Sequence, residues 1–324
     1  MKAQLLTEET GPGGLALTEI PDPPRAPAPP PVATKRWGVC FRVRRPPAAK
    51  PAPRPPLPFI PGTEVAGVVR EAPEGGQYGA GDKVLVTPMI GGFAEQILVV
   101  PEMLLPMPEG LTFDEGAALG INFQTAVFAL KMRAQTAPGE VVGVLGAAGG
   151  IGVASILVAK AMGAKVVAIV HRTGADELLK SLGADHIVQL TDGWGEKLRE
   201  FAPEGVDVMI DPSGGDVFDE ALRQVAPDGR YVVVGFAAGG IPTVKLNRVL
   251  FRNIAIVGAA WGEYLRTHPN DNIPGLIHDE ITEMIEAGLR PPVTATYSLA
   301  DTAQALTDMA AGKILGKAVV QIAE

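Results

Sequence analysis

The sequence of 324 residues is poor in cysteine and histidine and has no long apolar run. Its single cysteine, Cys40, cannot form an intramolecular disulfide, so we expect a reducing, cytoplasmic environment. No apolar run reaches the ~18 residues that a membrane helix needs, and the N-terminus lacks the apolar core of a signal peptide. The formal charge of −8 argues against a nucleic-acid partner, because phosphate binding needs a basic surface. We therefore expect neither a membrane nor a nucleic-acid partner.

The scarcity of metal ligands limits the metal chemistry. The chain has four histidines, and none shows metal-ligand spacing to another or to Cys40; they are His171, His186, His268 and His278. Zinc sites in proteins need three or four Cys, His or carboxylate ligands held at close quarters. The sequence therefore excludes a structural zinc cluster and predicts that no metal is bound.

Apolar strands alternate with helical segments between residues 121 and 258, a pattern typical of a parallel sheet in an α/β fold. The predicted strands are Glu140–Leu145, Lys165–Val170, His186–Val188, Val206–Ile210, Arg230–Gly235 and Ile254–Gly258. Short β-type runs precede this region, such as Val65–Val69 and Lys83–Val86. Two helices, near Ile281–Ala287 and Ala300–Ala311, and a last strand, Lys317–Ile322, follow it.

A glycine-rich turn follows the first of these central strands. In the G-x-G-x-x-G pattern, Gly149 and Gly152 fill the last two positions and Ala147 the first. Such a turn brings the N–H groups of a helix start against a pyrophosphate, although any tight turn can use glycine. The strand, turn, helix and strand context favours a dinucleotide site. Its predicted cofactor contacts are Ala148, Gly149, Gly150, Ile151 and Gly152.

The end of the next strand indicates which dinucleotide binds. Sites for NAD usually place Asp or Glu there, to accept hydrogen bonds from the ribose hydroxyls. This strand is followed by His171, Arg172 and Thr173, and no acid occurs before Asp176. Arg172 offers a planar cation to a 2′-phosphate, and Thr173 adds a hydroxyl group. A solvated surface arginine is the alternative, but the missing acid favours NADPH.

Further motifs occur in a fixed order along nearly the whole chain. They are Pro58–Gly67, Gly81–Val84, Gly91–Glu95, Leu105–Pro108, Gln124–Ala126, Gly183–Asp185, Asp207–Gly215 and Gly312–Lys317. With the glycine-rich turn, this ordered set resembles the medium-chain dehydrogenase/reductase superfamily, and within it the zinc-free quinone oxidoreductases. The resemblance implies a GroES-like β domain from residues 1–120 and 259–324. It implies an inserted Rossmann domain, a doubly wound parallel sheet that binds NADPH, from residues 121–258.

The resemblance also implies an activity: hydride transfer from NADPH to a quinone or to an α,β-unsaturated carbonyl, either an enone or an enoyl thioester. Zinc-dependent relatives carry Gly-His-Glu where this chain has Gly62-Thr63-Glu64, so a ligand is missing. Cys40 stands where those relatives place a zinc-binding cysteine. The implied catalytic residues are Cys40, Asn122 and Thr125, with helix capping as the alternative role for the last two. The implied cofactor contacts, besides the turn and Arg172, are Thr125, Gly235, Phe236, Asn247, Arg248 and Lys317.

The same family places the strand Asn253–Gly258 at a sheet edge, where it pairs with its twin. An unpaired apolar edge strand is prone to association, and pairing satisfies its free N–H and C=O groups. The resemblance therefore implies a homodimer.

One segment departs from the family pattern. Fifteen of the thirty prolines lie between Pro21 and Pro61, and eight basic and no acidic residues lie between Pro23 and Thr63. Residues 28–37 and 42–54 are either a divergent loop or the product of an out-of-frame reading. Because proline removes ladder donors, we expect residues 25–54 to be irregular and mobile, apart from a docked piece at 38–43. The alternative function is then an NADPH-binding protein with weak or lost catalysis, because residues 28–54 would no longer complete the active site.

Overall fold

The computed structural model describes residues 1–23, 31–39, 55–71 and 77–322. The chain forms two compact units. Among the described residues, the first unit consists of 1–23, 31–39, 55–71, 77–121 and 290–322, and the second is Asn122–Leu289. The strands of the described chain are β1 Lys2–Leu6, β2 Leu15–Glu19, β3 Pro31–Gly38, β4 Val65–Val69, β5 Lys83–Val86, β6 Gln96–Leu98, β7 Leu104–Pro106, β8 Val141–Leu145, β9 Lys165–Val170, β10 His186–Gln189, β11 Val206–Asp211, β12 Val225–Val233, β13 Ala255–Gly258, β14 Ala295–Ser298 and β15 Ala318–Gln321.

The α-helices of the described chain are α1 Phe113–Val127, α2 Gly150–Ala161, α3 Asp176–Ser181, α4 Trp194–Phe201, α5 Phe218–Arg223, α6 Leu246–Leu250, α7 Trp261–Thr267, α8 Ile273–Glu286 and α9 Thr302–Ala310. A π-helical segment, Phe128–Arg133, continues α1. No helix of the described residues is long and apolar enough to cross a membrane.

The second unit is built on a parallel sheet with the strand order β10-β9-β8-β11-β12-β13. The order runs outward in both directions from the centre, which is the doubly wound arrangement. Strands β8, β9 and β11 are apolar and almost wholly buried, as expected where helices cover both faces. The predicted α/β fold class is confirmed.

The first unit is a mostly antiparallel β structure. Its larger sheet has the order β14-β15-β3-β4-β5-β7 in the described chain, with β6 also pairing β3. β1 and β2 form a separate antiparallel pair. The last strand, β15, lies between β14 and β3, so residues from both ends of the sequence share one sheet.

The prediction that residues 29–36 are irregular is wrong for the described part of that range. Strand β3 pairs with β4, β6 and β15, with one register shift against β4 between Thr34 and Arg36. Pro31 is its first residue, where the missing N–H costs no ladder bond. Val32 and Trp37 are fully buried, and Trp37 stacks on Phe93 with ring centroids 3.9 Å apart. The prolines flank this strand rather than interrupt it. Residues 24–30 and 40–54 lie outside the described residues.

The units divide the chain at 121/122 and 289/290, whereas the sequence predicted divisions at 120/121 and 258/259. The second difference reflects helices α7 and α8, which pack within the second unit. Tyr264 of α7 contacts the ring of Phe128 edge-on, with centroids 5.4 Å apart. Lys131 forms an ion pair with Glu280 of α8.

The burial of β3 generates a stability prediction. Replacing Trp37 by Ala removes a fully buried ring and its stacking on Phe93, so we expect the free energy of unfolding to fall by about 3–5 kcal/mol. Trp261→Ala, at a half-buried position in α7, is the control and should cost less. Chemical denaturation measures both. A Trp37→Ala protein as stable as the control would show that β3 is not part of the core.

Candidate functional site

The glycine-rich turn joins β8 to α2. Gly146 leaves the strand with a φ of 61°, and the Gly149 N–H donates to Gly146 O at 2.9 Å. A Cβ on Gly152 would lie 2.3 Å from Gly146 O and 2.7 Å from Ala147 Cα. The helix approaches the strand this closely only because residue 152 has no side chain.

This approach places the start of α2 at the carboxyl edge of the sheet. The N–H groups of a helix's first turn lack partners within the helix and carry partial positive charge. Gly149, Gly150 and Ile151 are half-buried there, while Ala148 and Gly152 are buried. The turn is therefore shaped to receive an anionic group at its amides.

A polar face of α1 packs against the turn. Asn122 and Thr125 are buried, and they lie three residues apart, on one side of the helix. Asn122 Nδ2 is 2.4 Å from the point where a Cβ on Gly150 would stand. The neighbouring Gln124 is also buried, and its Oε1 has no hydrogen-bond partner among the described residues. The structure thus brings Asn122 to the turn.

Arg172 and Thr173 follow the neighbouring strand. β8 and β9 pair in parallel, and Ala147 N–H donates to Ile169 O at 3.1 Å, so both strands end at the same edge. Arg172 is half-buried and Thr173 is exposed. Burial lowers the pKa of the Arg172 guanidinium, which nevertheless stays charged near neutral pH. A cation therefore lies at the carboxyl edge that carries the turn.

The loop after β12 carries Gly235 and Phe236 to this edge. Val234 N–H donates to Asp211 O, and Ala238 N–H to Ser213 O, both at 2.9 Å. The Ser213 Oγ lies 3.0 Å from the point where a Cβ on Gly146 would stand. The ends of β8, β11 and β12 therefore meet.

Asp211 organises this meeting point and is not among the site residues predicted from the sequence. Its carboxylate accepts hydrogen bonds from the Tyr231 hydroxyl at 2.7 Å and from the N–H groups of Ser213 and Gly214 at 2.8 and 2.9 Å. Burial, with the adjacent Asp211 charge, raises the pKa of Tyr231 above its usual range. An acid that ends an apolar strand just before Pro-Ser-Gly-Gly is the signal that could have identified it.

Three other predicted residues, Asn247, Arg248 and Lys317, have different surroundings. Arg248 donates to Asp219 Oδ1 at 2.8 Å, and its neighbour Asn247 is exposed. Lys317 belongs to the first unit, where its Nζ donates to Glu64 Oε2 at 2.5 Å. Cys40 lies outside the described residues.

Comparisons with known proteins decide the family. Residues 150–278 match the family model of a zinc-binding dehydrogenase. The chain is 33% identical to quinone oxidoreductase-like protein 2 of Bos taurus, over 82% of this chain and 77% of that protein. The chain belongs to the quinone oxidoreductase-like family of the medium-chain dehydrogenase/reductase superfamily. The superfamily predicted from the motifs is confirmed.

Solved structures of the superfamily agree over nearly the whole chain. A probable oxidoreductase from Mycobacterium abscessus is 42% identical, with a TM-score of 0.87 and 99% of each chain covered. The quinone oxidoreductase from Thermus thermophilus, whose structure was also determined in complex with NADPH, is 32% identical. Its TM-score is 0.83, and the match covers 99% of this chain and all of that one. The predicted GroES-like and Rossmann architecture is confirmed.

Because the matching family model is that of a zinc-binding dehydrogenase, we examined the described residues for a metal site. Within 1–23, 31–39, 55–71 and 77–322, no group of three or more His, Cys, Asp and Glu side chains could hold a metal ion. Cys40 is outside these ranges, so zinc independence stays a prediction.

The contact at Gly152 generates a second prediction. Gly152→Ala places a methyl group against backbone atoms that cannot rotate away, so we expect the free energy of unfolding to fall by about 1–3 kcal/mol. Gly13→Ala is the control, because its Cβ would meet no atom within 4 Å. Equal stabilities of the two variants, measured by denaturant titration, would contradict the close approach of helix and strand.

Proposed function

We propose that this chain is an NADPH-dependent oxidoreductase that transfers hydride to a quinone or to an α,β-unsaturated carbonyl compound. The observation that carries the proposal is the carboxyl edge of the parallel sheet. There the first-turn amides of α2 lie at the same edge as Arg172, with no acid between Val170 and Asp176. A quinone oxidoreductase with 32% identity, solved in complex with NADPH, supports both cofactor and reaction class.

The residues at this edge fit an anionic dinucleotide. The amides of Gly150 and Ile151 suit a pyrophosphate, and Arg172 with Thr173 suits a 2′-phosphate. The loop at Gly235 and Phe236 borders the same edge. Bound NADPH supplies the hydride, and the protein supplies orientation and electrostatics.

We propose that the polar face of α1 orients the nicotinamide. Asn122 is buried against Gly150 of the turn, and Thr125 is buried on the same side of α1, so both side chains have little rotational freedom to lose on binding. Buried polar groups tend to be hydrogen-bonded. The buried oxygen Gln124 Oε1, in contrast, accepts no hydrogen bond within the described chain. We propose Asn122 and Thr125 as residues that orient the nicotinamide, and Cys40 as a further active-site residue.

The alternative, a cofactor-binding protein without turnover, depended on the departure of residues 28–54 from the family pattern. Residues 31–38 form a paired, buried strand, which removes part of that basis. We further propose that reduction of the quinone or α,β-unsaturated carbonyl needs no added metal and takes place in a reducing cytoplasm.

Turnover is tested by following NADPH oxidation with a quinone and, separately, with an enone. We expect oxidation with at least one of them, unaffected by a chelator, because hydride transfer needs only the cofactor and an oriented acceptor. Tight NADPH binding with no oxidation of NADPH by the quinone or by the enone would favour the non-catalytic alternative. Activity lost to a chelator and restored by zinc would contradict zinc independence.

The cofactor preference is tested in the same assay by Arg172→Ala. Loss of a charged hydrogen bond should weaken NADPH binding by about 1.5–3 kcal/mol and leave NADH nearly unchanged. Arg223→Ala is the matched control, because Arg223 is an exposed arginine paired with Glu220 on α5. Equal losses for both cofactors would refute the role of Arg172.

We also propose that the chain forms a homodimer through β13. This strand lies at the edge of the parallel sheet and has β12 as its partner in the described chain. Large apolar side chains on and near it are exposed, namely Leu246, Leu250, Phe251 and Ile256. Pairing with β13 of a second copy would satisfy the edge and cover these side chains.

Light scattering tests the dimer, which we expect at micromolar concentration. Ile256→Lys places a charge on the proposed interface and should increase the monomer fraction, because a charge in an apolar contact is costly to desolvate. Leu17→Lys, at an exposed leucine of β2, should leave the mass unchanged. A wild-type monomer would overturn the proposal.

A further inference from the structure

The first unit contains a buried carboxylate that the proposed cofactor site does not use. Glu64 is 1% exposed, and its Oε2 accepts a hydrogen bond from Lys317 Nζ at 2.5 Å. Lys317 is itself 4% exposed. A buried charge pair is costly to desolvate and is weak support for stability by itself. Its retention here therefore invites a functional explanation.

The other carboxylate oxygen of Glu64 holds a break in helix α1. Gly120 leaves the helical conformation with φ −22° and ψ −126°, so the helix starts again at Ile121. The first N–H groups of a helix lack partners inside it and favour a negative charge. Ile121 N–H donates to Glu64 Oε1 at 2.8 Å.

The backbone on both sides is fitted to this carboxylate. A Cβ on Gly120 would lie 2.6 Å from Glu64 Cγ and from Oε1. A Cβ on Gly38 would lie 2.9 Å from Glu64 Oε2 and from Lys317 Cε. Two glycines therefore leave the space that the ion pair fills, and the break in α1 cannot shift without disturbing Glu64.

Asn122, the residue after this hydrogen bond, is the one whose side chain packs on Gly150 of the glycine-rich turn. Thr125 follows on the same face. We propose that Glu64 is a positioning residue, which fixes the start of the second half of α1 and thereby the orientation of Asn122 and Thr125. Lys317 balances the charge of Glu64 and fixes its geometry. The inference rests on the proposed function of those two residues.

This role for Lys317 differs from the cofactor contact predicted from the sequence, and the two can be separated. If Lys317 holds a phosphate, Lys317→Met raises the Kd for NADPH. If Lys317 serves Glu64, Lys317→Met lowers kcat and leaves that Kd within about twofold, because the phosphate contacts of α2 are intact.

The decisive experiment compares Glu64→Met and Glu64→Gln with the wild-type protein by three measurements. These are hydrogen exchange of the amides at 121–125, the Kd for NADPH from its fluorescence, and kcat with the better substrate. Glu64→Met should speed exchange at 121–125 and lower kcat on the order of ten- to a hundredfold, because small misplacements of orienting groups are costly. The Kd should change by less than about twofold.

Glu64→Gln provides partial rescue and guards against a misfolded Met variant. Its amide oxygen can still accept from Ile121 N–H, but it no longer balances Lys317, so exchange and kcat should lie between the other two. Glu140→Gln is the matched control. Like Glu64, Glu140 accepts hydrogen bonds from a cationic side chain and from a backbone N–H. The donors are Arg230, at 2.7 and 2.8 Å, and Ala137 N–H, at 2.8 Å. The Glu140→Gln variant should leave hydrogen exchange at 121–125 and kcat unchanged.

Unchanged exchange at 121–125 in both Glu64 variants would overturn the proposal, as would a kcat equal to that of the wild-type protein. A rise in Kd that matches the fall in kcat would show a merely structural role and would also overturn it. If the wild-type protein binds NADPH without turnover, the proposed function fails alone. The emission of the bound nicotinamide then replaces kcat: a shift in Glu64→Met but not in Glu140→Gln supports positioning, and no shift overturns it.

Discussion

The close contact of Gly152, in helix α2, with the residues Gly146 and Ala147 that follow strand β8 is the constraint on which the candidate site depends. Because no side chain separates them, the start of the helix lies directly above the end of the strand. Three neighbouring elements contact the turn that this approach forms. The Ser213 turn approaches Gly146, Asn122 packs on Gly150, and the main chain of β9 bonds to Ala147.

Acidic side chains hold strand ends and loops of both units in place. Several carboxylates of the described chain accept at least one hydrogen bond from a backbone N–H and at least one from a side chain. Examples are Glu64 with Lys317, Glu140 with Arg230, Asp185 with Lys160, and Asp211 with Tyr231. The hydrogen bonds from Arg230 hold the pKa of Glu140 below its ordinary value. Part of the net negative charge therefore serves to hold loops and strand ends in place.

The sequence pattern correctly predicted the strands that are apolar and that begin or end beside a glycine or a charged residue. Strands β4, β5 and β9 begin and end where the sequence placed them, because their burial is uniform and their limits are sharp. Strand β3 was missed because flanking prolines dominated the composition. The glycine-rich turn between β8 and α2 could be predicted for the same reason as the strands, because it depends on neighbours in the sequence. The role of Arg172 stays a prediction. Glu64 could not, because its partner is 253 residues away.

The position of β15 determines when the first unit can be completed during synthesis. This strand pairs with β3, yet it consists of residues 318–321, which are synthesised after the whole of Asn122–Leu289. Domains usually fold as units in the order in which they are made. Here the inserted unit, Asn122–Leu289, holds all strands of its own sheet and can fold while the sheet around Trp37 still lacks a partner. The second unit can therefore complete its sheet before the first unit does, and β3 lacks its β15 partner until residues 318–321 have been made.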